Sequence, residues 1–169
     1  MNRPRLLIAG IGNIFLGDDA FGVEVVQRLA RHELPQEVCV IDFGIRGLDL
    51  TYALLDGYES VILVDAAPRG GAPGSLYVLE LAKDELSDTS TPMIETHRLD
   101  PVKVLRLAAS MGGKVERLLL VGCEPAPVSD YEDMQMGLSI PVQTAVDEAI
   151  VLLESLSAQL LQGEAIETR

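Results

Sequence analysis

The chain has 169 residues, of which 13 are basic and 26 acidic, so its formal net charge is −13. That balance argues against nucleic acids and anionic membranes as partners, because both repel a strongly negative protein. A hydrophobic fraction of 48% and a charged fraction of 23% are typical of a folded domain with a substantial core and exclude a disordered chain.

Apolar runs alternate with amphipathic segments through the first part of the chain, the pattern of a layered α/β domain. In chain order we predict a strand at 5–10, a helix at 19–32, a strand at 37–42, a helix at 47–56 and a strand at 60–65. The first helix places four apolar side chains on one face, namely Phe21, Val25, Val26 and Leu29.

A turn cluster, Pro68 to Pro73, separates this part from the alternating segment 75–80. The alternation indicates a half-buried strand. The connection from the preceding strand is short, which predicts that this strand runs antiparallel to the rest of the sheet. Further along, Asp100 is a good N-cap and Pro101 a good first helical residue, so a helix should extend to about Ser110.

The last part of the chain reads as a strand at 115–121, an acidic loop at 123–138 and a helix that begins near Pro141. The final helix has a continuous apolar face formed by Val142, Ala145, Val146, Ala149, Ile150, Leu153 and Leu156. We therefore predict a three-layer α/β/α fold with a mostly parallel five-stranded sheet that contains one antiparallel strand. One domain spans 1–162, and 163–169 form a flexible tail.

The cellular location is predicted from the absence of targeting signals. No apolar run approaches the roughly 20 residues that a membrane helix needs. The apolar start at Leu6 is soon interrupted by Asn13, and no cleavage site for a signal peptide follows. Cys39 and Cys123 are isolated thiols, as expected for core cysteines in a reducing cytoplasm.

Two glycines after the first strand, Gly10 and Gly12, invite a dinucleotide-binding interpretation, and Asp42 would suit a ribose-binding acid. The fingerprint requires a third glycine where this chain has Phe15. Carboxylates at the start of the next helix would also repel a pyrophosphate. Nucleotide binding therefore remains a minor alternative.

Three acids follow predicted parallel strands, namely Asp19, Asp42 and Asp65. Because the carboxyl ends of parallel strands converge on one edge of a sheet, these side chains should lie near the ligand-binding crevice. His97, in the connection before the helix at Asp100, could join them. Two carboxylates and one imidazole, from Asp19, Asp65 and His97, would form an open site for a borderline divalent ion such as nickel or zinc.

Catalysis by a side-chain nucleophile has little support, because the chain has no Gly-x-Ser-x-Gly elbow and no cysteine with an evident histidine partner. A His-Glu-x-x-His motif is also absent. Any hydrolysis would therefore use water that is activated by a metal or by a carboxylate.

In the order and spacing of its motifs the chain resembles the nickel–iron hydrogenase maturation endopeptidases from Leu6 to about Leu156. The matching motifs are Gly10-x-Gly12-Asn13 with Asp18-Asp19, Asp42-Phe-Gly-Ile-Arg-Gly47, Val64-Asp65-Ala66, His97 before Asp100-Pro101, and Gly137-Leu-Ser139. The resemblance implies an enzyme that removes a short C-terminal peptide from the large-subunit precursor of a hydrogenase after the nickel–iron centre is assembled.

The resemblance also implies how the site works. The nickel of the precursor is the recognition signal, and the protease keeps no metal of its own. The metal-contacting positions fall on Asp19, Asp65 and His97, and Asp42 would help to position substrate or water. A second hypothesis keeps the same site as a checkpoint that senses nickel without cleaving. It is motivated by the missing nucleophile and by Ile45, which stands where a threonine is frequent in the family.

Overall fold

The computed structural model of the protein describes residues 3–82, 100–128 and 136–169. In chain order the elements are β1 (Leu6–Ile11), a 3-10 turn (Gly17–Ala20), α1 (Phe21–Leu29), β2 (Val38–Gly44), α2 (Gly47–Leu54), β3 (Ser60–Ala66), β4 (Leu76–Glu80), α3 (Pro101–Ser110), β5 (Arg117–Cys123) and α4 (Ile140–Leu161). Among the described helices, none combines the length and the apolar character needed to cross a membrane.

The five strands form one sheet in the order β2-β1-β3-β5-β4. The pairs β1–β2, β1–β3 and β3–β5 are parallel, and β4 pairs antiparallel with β5 at one edge. The prediction of a mostly parallel sheet with one antiparallel strand is confirmed.

Alternating side chains of the strands supply two cores, one on each face of the sheet. On one face, Ile8, Ile62 and Val121 pack with the apolar sides of α1 and α4. On the other face, Ala9 and Leu63 pack with α2 and α3. The helices therefore form the outer layers of the predicted α/β/α fold, and the apolar faces predicted for the first and last helices are confirmed as buried.

The position of β1 between β2 and β3 creates a crevice at the carboxyl edge of the sheet. From β1 the chain continues to β2 on one side, whereas from β3 it continues to β4 on the other side of the sheet. The connections after β1 and β3 therefore lead in opposite directions, which marks the switch point where open α/β sheets bind ligands.

Close backbone contact fixes α1 against the sheet. A methyl group on Gly22 would lie 2.0 Å from the carbonyl oxygen of Val64 and 2.4 Å from that of Ile11. A methyl group on Gly10 would lie 2.3 Å from a methyl carbon of Val26. Glycine at these positions lets the start of α1 rest directly on the carboxyl ends of β1 and β3.

Most predicted boundaries lie within about two residues of the observed ones, and two differences concern the site. The predicted helix 19–32 is split, because a 3-10 turn precedes α1 and the helix itself begins at Phe21. The last strand runs from Arg117 to Cys123 instead of 115–121, because its pairing with β3 begins at Arg117 and continues to Cys123 opposite Ala66.

The segment 163–169, predicted as a flexible tail, makes contacts along the antiparallel edge of the sheet. The backbone N–H of Arg169 donates to Val78 O at 3.0 Å, and Val78 N–H donates to Arg169 O at 2.8 Å. Arg117 Nη1 donates to the carbonyl oxygen of Glu164 at 2.7 Å, and Ile166 packs against the core. Both ends of the segment are thus held beside β4 and β5.

Candidate functional site

Asp19 lies in the 3-10 turn after β1 and is 7% exposed. Its Oδ2 accepts a hydrogen bond of 2.9 Å from the backbone N–H of Asn13. A methyl group on Gly12 would lie 1.8 Å from the carbonyl oxygen of Asp19, so only glycine allows this turn to fold back on the end of β1. The carboxylate of Asp19 is therefore held at the crevice by its own loop.

Asp65 is the penultimate residue of β3 and pairs with Gly122 of β5, which in turn pairs with Tyr77 of β4. Because its neighbours Val64 and Ala66 pack on the α1 side, Asp65 projects from the α2 side of the sheet. A methyl group on Gly122 would lie 2.1 Å from the Tyr77 ring, so the ring extends across this glycine towards Asp65.

The Tyr77 phenol is part of the surroundings of Asp65. Its hydroxyl donates to the carbonyl oxygen of Ala67 at 2.8 Å, and the Arg69 guanidinium lies 4.4 Å from the ring centroid. Burial raises the pKa of Tyr77 to about 12; Arg69 opposes that rise, and the charges of Asp65 and Glu124 add to it. Tyr77 therefore stays protonated at neutral pH.

The elements that carry Asp19 and Asp65 touch each other. The 3-10 turn contacts β3, and Gly22, three residues after Asp19, rests on the carbonyl oxygen of Val64 beside Asp65. Asp19 and Asp65 are thus carried by adjoining elements, and their joint role in one site stays a prediction.

Asp42 lies apart from Asp65, because it pairs with Gly10 on the α1 face of the sheet. Its Oδ2 accepts a hydrogen bond of 3.1 Å from Gln27 Nε2 on α1, and its carbonyl oxygen accepts one from Arg46. One strand, β1, separates Asp42 from β3. The role of Asp42 in positioning substrate or water stays a prediction.

His97 falls outside the described residues, so the complete trio is a prediction. Within 3–82, 100–128 and 136–169, no group of three His, Cys, Asp or Glu side chains is arranged to hold a metal ion. The other histidine, His32, lies far from this edge at the end of α1, where its Nδ1 is 2.7 Å from Glu154 Oε1.

The glycine turn after β1 is not built for a phosphate. The backbone N–H of Asn13, which a phosphate-binding loop would offer to an anion, already donates to the carboxylate of Asp19. Phe15, at the position of the third glycine, is 63% exposed. The dinucleotide interpretation therefore fails on the geometry of the loop as well as on its sequence.

An open cavity of about 490 Å³ lies beside Asp19. Three connections form its walls, which are 16–19 after β1, 68–73 after β3 and 124–128 after β5. The lining combines apolar and turn residues with three carboxylates, those of Asp18, Asp19 and Glu124. A cavity of this size accommodates a few residues of an extended peptide.

Two carboxylates that the sequence analysis did not place among the site residues hold these walls together. Asp18 accepts hydrogen bonds from the N–H of Ala126 and from both the N–H and the hydroxyl of Ser139. Glu124, only 6% exposed, accepts from the N–H groups of Arg69 and Gly70. The adjacent acids of the Asp18-Asp19 pair could have suggested a second role, but Glu124 carries no distinguishing local signal.

Comparison with known proteins assigns the chain to a family. The profile of the hydrogenase maturation proteases matches residues 23–156. The hydrogenase expression/formation protein HupD of Rhizobium leguminosarum is 36% identical over 149 residues, which cover 87% of this chain and 71% of that protein. The chain belongs to the hydrogenase maturation proteases.

Solved structures agree with this assignment. The hydrogenase maturating endopeptidase HybD of Escherichia coli superposes with a TM-score of 0.74 at 29% identity, over 98% of each chain. A hydrogenase 2 maturation peptidase from a Thaumarchaeota archaeon gives a TM-score of 0.65 at 32% identity, over 90% of this chain and 97% of that one. The family predicted from the motifs and the three-layer fold are both confirmed.

As a hydrogenase maturation protease the chain is a hydrolase of the endopeptidase type, which favours the enzyme over the non-cleaving checkpoint. Its buried thiol is poorly suited to act as a nucleophile. Burial of Cys123, together with the nearby carboxylates of Asp18 and Glu124, raises the pKa of that thiol to about 12. Very little of the reactive thiolate exists at neutral pH.

Proposed function

We propose that this hydrogenase maturation protease removes the C-terminal peptide from the nickel-loaded large-subunit precursor of a nickel–iron hydrogenase. Asp19, Asp65 and His97 bind the nickel that the precursor brings, and the protease keeps no resident metal. Recognition of the metal and placement of the scissile bond then become one event, since binding the nickel fixes the adjoining peptide at the site.

The contact between the turn of Asp19 and strand β3 of Asp65 is the observation that supports this proposal most directly. Two carboxylates at a sheet switch point, of which Asp19 lines an open cavity, suit a divalent ion that arrives with a peptide attached. Two acids and one imidazole leave coordination positions free, which a substrate-borne metal needs because it keeps ligands from its own protein.

Water or a carbonyl group polarised by the nickel of the substrate is the chemistry that fits these residues. One carboxylate of the site accepts a proton from the attacking water and passes it to the leaving amine nitrogen, so that the peptide C–N bond breaks and a new C-terminal carboxyl group forms. The high pKa of the Cys123 thiol argues against a covalent route through that residue.

Substitution of His97 by alanine tests the nickel-recognition step, with His32→Ala as the matched control. His97→Ala should slow cleavage of nickel-loaded precursor by at least about 100-fold, because the scissile bond is no longer held in place. His32→Ala removes an imidazole that pairs with Glu154, away from the carboxyl edge, and should cleave normally. Mass spectrometry of the purified precursor after incubation gives both rates.

Nickel-free precursor completes the experiment. The unsubstituted protease should leave it intact while it shortens the nickel-loaded form. Cleavage of nickel-loaded precursor by His97→Ala at the normal rate would remove His97 from the site, and equal cleavage of both precursors would reject nickel as the recognition signal.

A further inference from the structure

The Asp18 side chain joins parts of the chain that are far apart in sequence. Its Oδ2 accepts from Ala126 N–H and from Ser139 Oγ–H, each at 2.9 Å, and its Oδ1 accepts from Ser139 N–H at 2.7 Å. Ser139 is the residue directly before α4. A single carboxylate thus fastens the 3-10 turn after β1 to the connection after β5 and to the start of α4.

Glu124 makes the equivalent connection on the other side of the cavity. Its Oε2 accepts from Arg69 N–H at 2.6 Å and its Oε1 from Gly70 N–H at 3.2 Å. The backbone of Glu124 also bonds Gly74 and Ser75, so the connections after β3 and β5 are tied along their length. Hydrogen bonds from backbone N–H groups satisfy this buried carboxylate.

The two carboxylates therefore determine the shape of the cavity beside Asp19. Its walls are irregular connections rich in proline and glycine, which have few ladder hydrogen bonds to hold them. We propose that Asp18 and Glu124 are positioning residues that pre-form a binding cleft for the peptide segment next to the scissile bond. The inference rests on the proposed function and adds to it the place where the peptide binds.

Pre-forming a cleft has a kinetic signature that distinguishes it from general stability. When a wall is loosened, part of the binding free energy must order it, so KM rises while the chemical step at Asp19 and Asp65 changes little. A variant that is only less stable has a smaller active fraction, which lowers the apparent kcat and leaves KM unchanged. Comparison of the changes in KM and in kcat therefore distinguishes a positioning role from a general effect on stability.

Asp18→Asn is the principal test, because the amide replaces one acceptor oxygen by a donor with almost no change in size. The NH₂ group must then face a backbone N–H, of either Ala126 or Ser139, and that bond is lost. We expect the KM for nickel-loaded precursor to rise roughly ten-fold or more and kcat to stay within about three-fold.

Two substitutions of Ser139, which change the bonds of Asp18 less severely, keep the test decisive if Asp18→Asn folds poorly. Ser139→Ala removes only the hydroxyl bond and retains both backbone bonds to Asp18, so its KM should rise by a smaller factor. Ser139→Thr restores a hydroxyl and should restore the KM. Asp56→Asn, an equal charge change in the exposed turn after α2, is the control and should behave as the unsubstituted protein.

Hydrogen exchange of the free protease gives a readout without substrate. In Asp18→Asn, the amide proton of Ala126 or of Ser139, whichever then faces the NH₂ group, should exchange faster because it has lost its acceptor. Both amides should exchange at the normal rate in Asp56→Asn. Unchanged exchange at both amides, or a loss of kcat with a normal KM, would overturn the positioning role.

The outcomes for the proposed function and for this inference are distinct. If the unsubstituted protease leaves nickel-loaded precursor intact, the proposed function fails and the inference fails with it. If the unsubstituted protease cleaves and Asp18→Asn cleaves with the same KM, the inference alone fails. A raised KM with faster exchange at Ala126 or Ser139 supports it.

Discussion

At the scale of single residues, the alternation of side chains along strands separates two acids that the sequence places at the same sheet edge. Asp42 accepts a hydrogen bond from Gln27 on the α1 face, whereas Asp65 lies in a row with Gly122 and Tyr77 on the other face. Equal positions at strand ends therefore do not imply equal access to one ligand.

This separation predicts different effects of the same substitution at the two acids. Asp65→Asn should reduce cleavage of nickel-loaded precursor by roughly 100-fold or more, because a neutral amide is a weak ligand for a divalent ion. Asp42→Asn can keep its bond from Gln27 through the remaining carbonyl oxygen and should lose less than about ten-fold. Cleavage rates of the two variants measured side by side check the difference, and equal losses would contradict it.

Tyr77 predicts how stability depends on alkaline pH. In the unfolded chain a phenol ionises near pH 10, whereas burial raises the pKa of Tyr77 to about 12 in the folded protein. Between these values the unfolded chain binds fewer protons, so the free energy of unfolding should fall as pH rises. Buried Cys123, whose thiol has a raised pKa of about 12, should add to the decline from about pH 9.

Urea unfolding at a series of pH values measures this decline. Tyr77→Phe should make the dependence between pH 10 and 12 less steep, while Tyr52→Phe, at a position that is 55% exposed, serves as the control. Identical slopes for Tyr77→Phe and the unsubstituted protein would show that burial does not hold the proton on Tyr77.

At the scale of elements, α1 owes its placement to glycine at its contact with the sheet. Gly22→Ala should lower the free energy of unfolding by about 1–3 kcal/mol, because the added methyl group meets two backbone carbonyl oxygens that cannot rotate away. Gly71→Ala is the control, since its methyl group would have no atom closer than 3.8 Å. Urea unfolding of both variants gives the comparison, and equal stabilities would mean that α1 shifts without cost.

Local patterns of the sequence were sufficient to predict most elements. Apolar runs located β1 and β3, and the Asp100-Pro101 pair located the start of α3, where the Asp100 carboxylate accepts from Val102 N–H at 3.0 Å. The start of α1 was predicted too early because Asp18 and Asp19 look like helix caps. In the described structure neither acid caps α1, since both carboxylates bond elsewhere.

For the candidate site, the sequence supports a prediction only where chain order and strand direction bear on it. Asp19 and Asp65 follow from the convergence of parallel strand ends. The contacts of Asp18 and Glu124 could not be predicted, because their partners lie between 54 and 121 residues away and leave no periodic trace in the sequence. Such contacts depend on how the connections pack after the sheet has formed.

At the scale of the whole molecule, the segment 163–169 covers part of the antiparallel edge of the sheet. Exposed edge strands readily pair with other chains through their free backbone groups. The hydrogen bonds with Arg169 occupy the backbone N–H and carbonyl groups of Val78 on β4. The segment that the sequence predicts to be a flexible tail thereby protects this edge.

Removal of 163–169 should therefore lower the free energy of unfolding and promote self-association through β4. Analytical ultracentrifugation and urea unfolding measure the two effects, with Glu167→Ala as a control that leaves the backbone in place. A truncated protein that stays monomeric and as stable as the full chain would show that the contacts of Arg169 and Glu164 contribute nothing.

The bonds of Asp18 also determine when the cleft can exist. Asp18 is synthesised early, whereas Ser139 leaves the ribosome 121 residues later. The sheet can begin to assemble as its strands emerge, but the wall of the cleft closes only once the start of the last helix arrives. Peptide-binding capacity is therefore tied to completion of the fold, and an incomplete nascent chain lacks the assembled cleft that binds the precursor peptide.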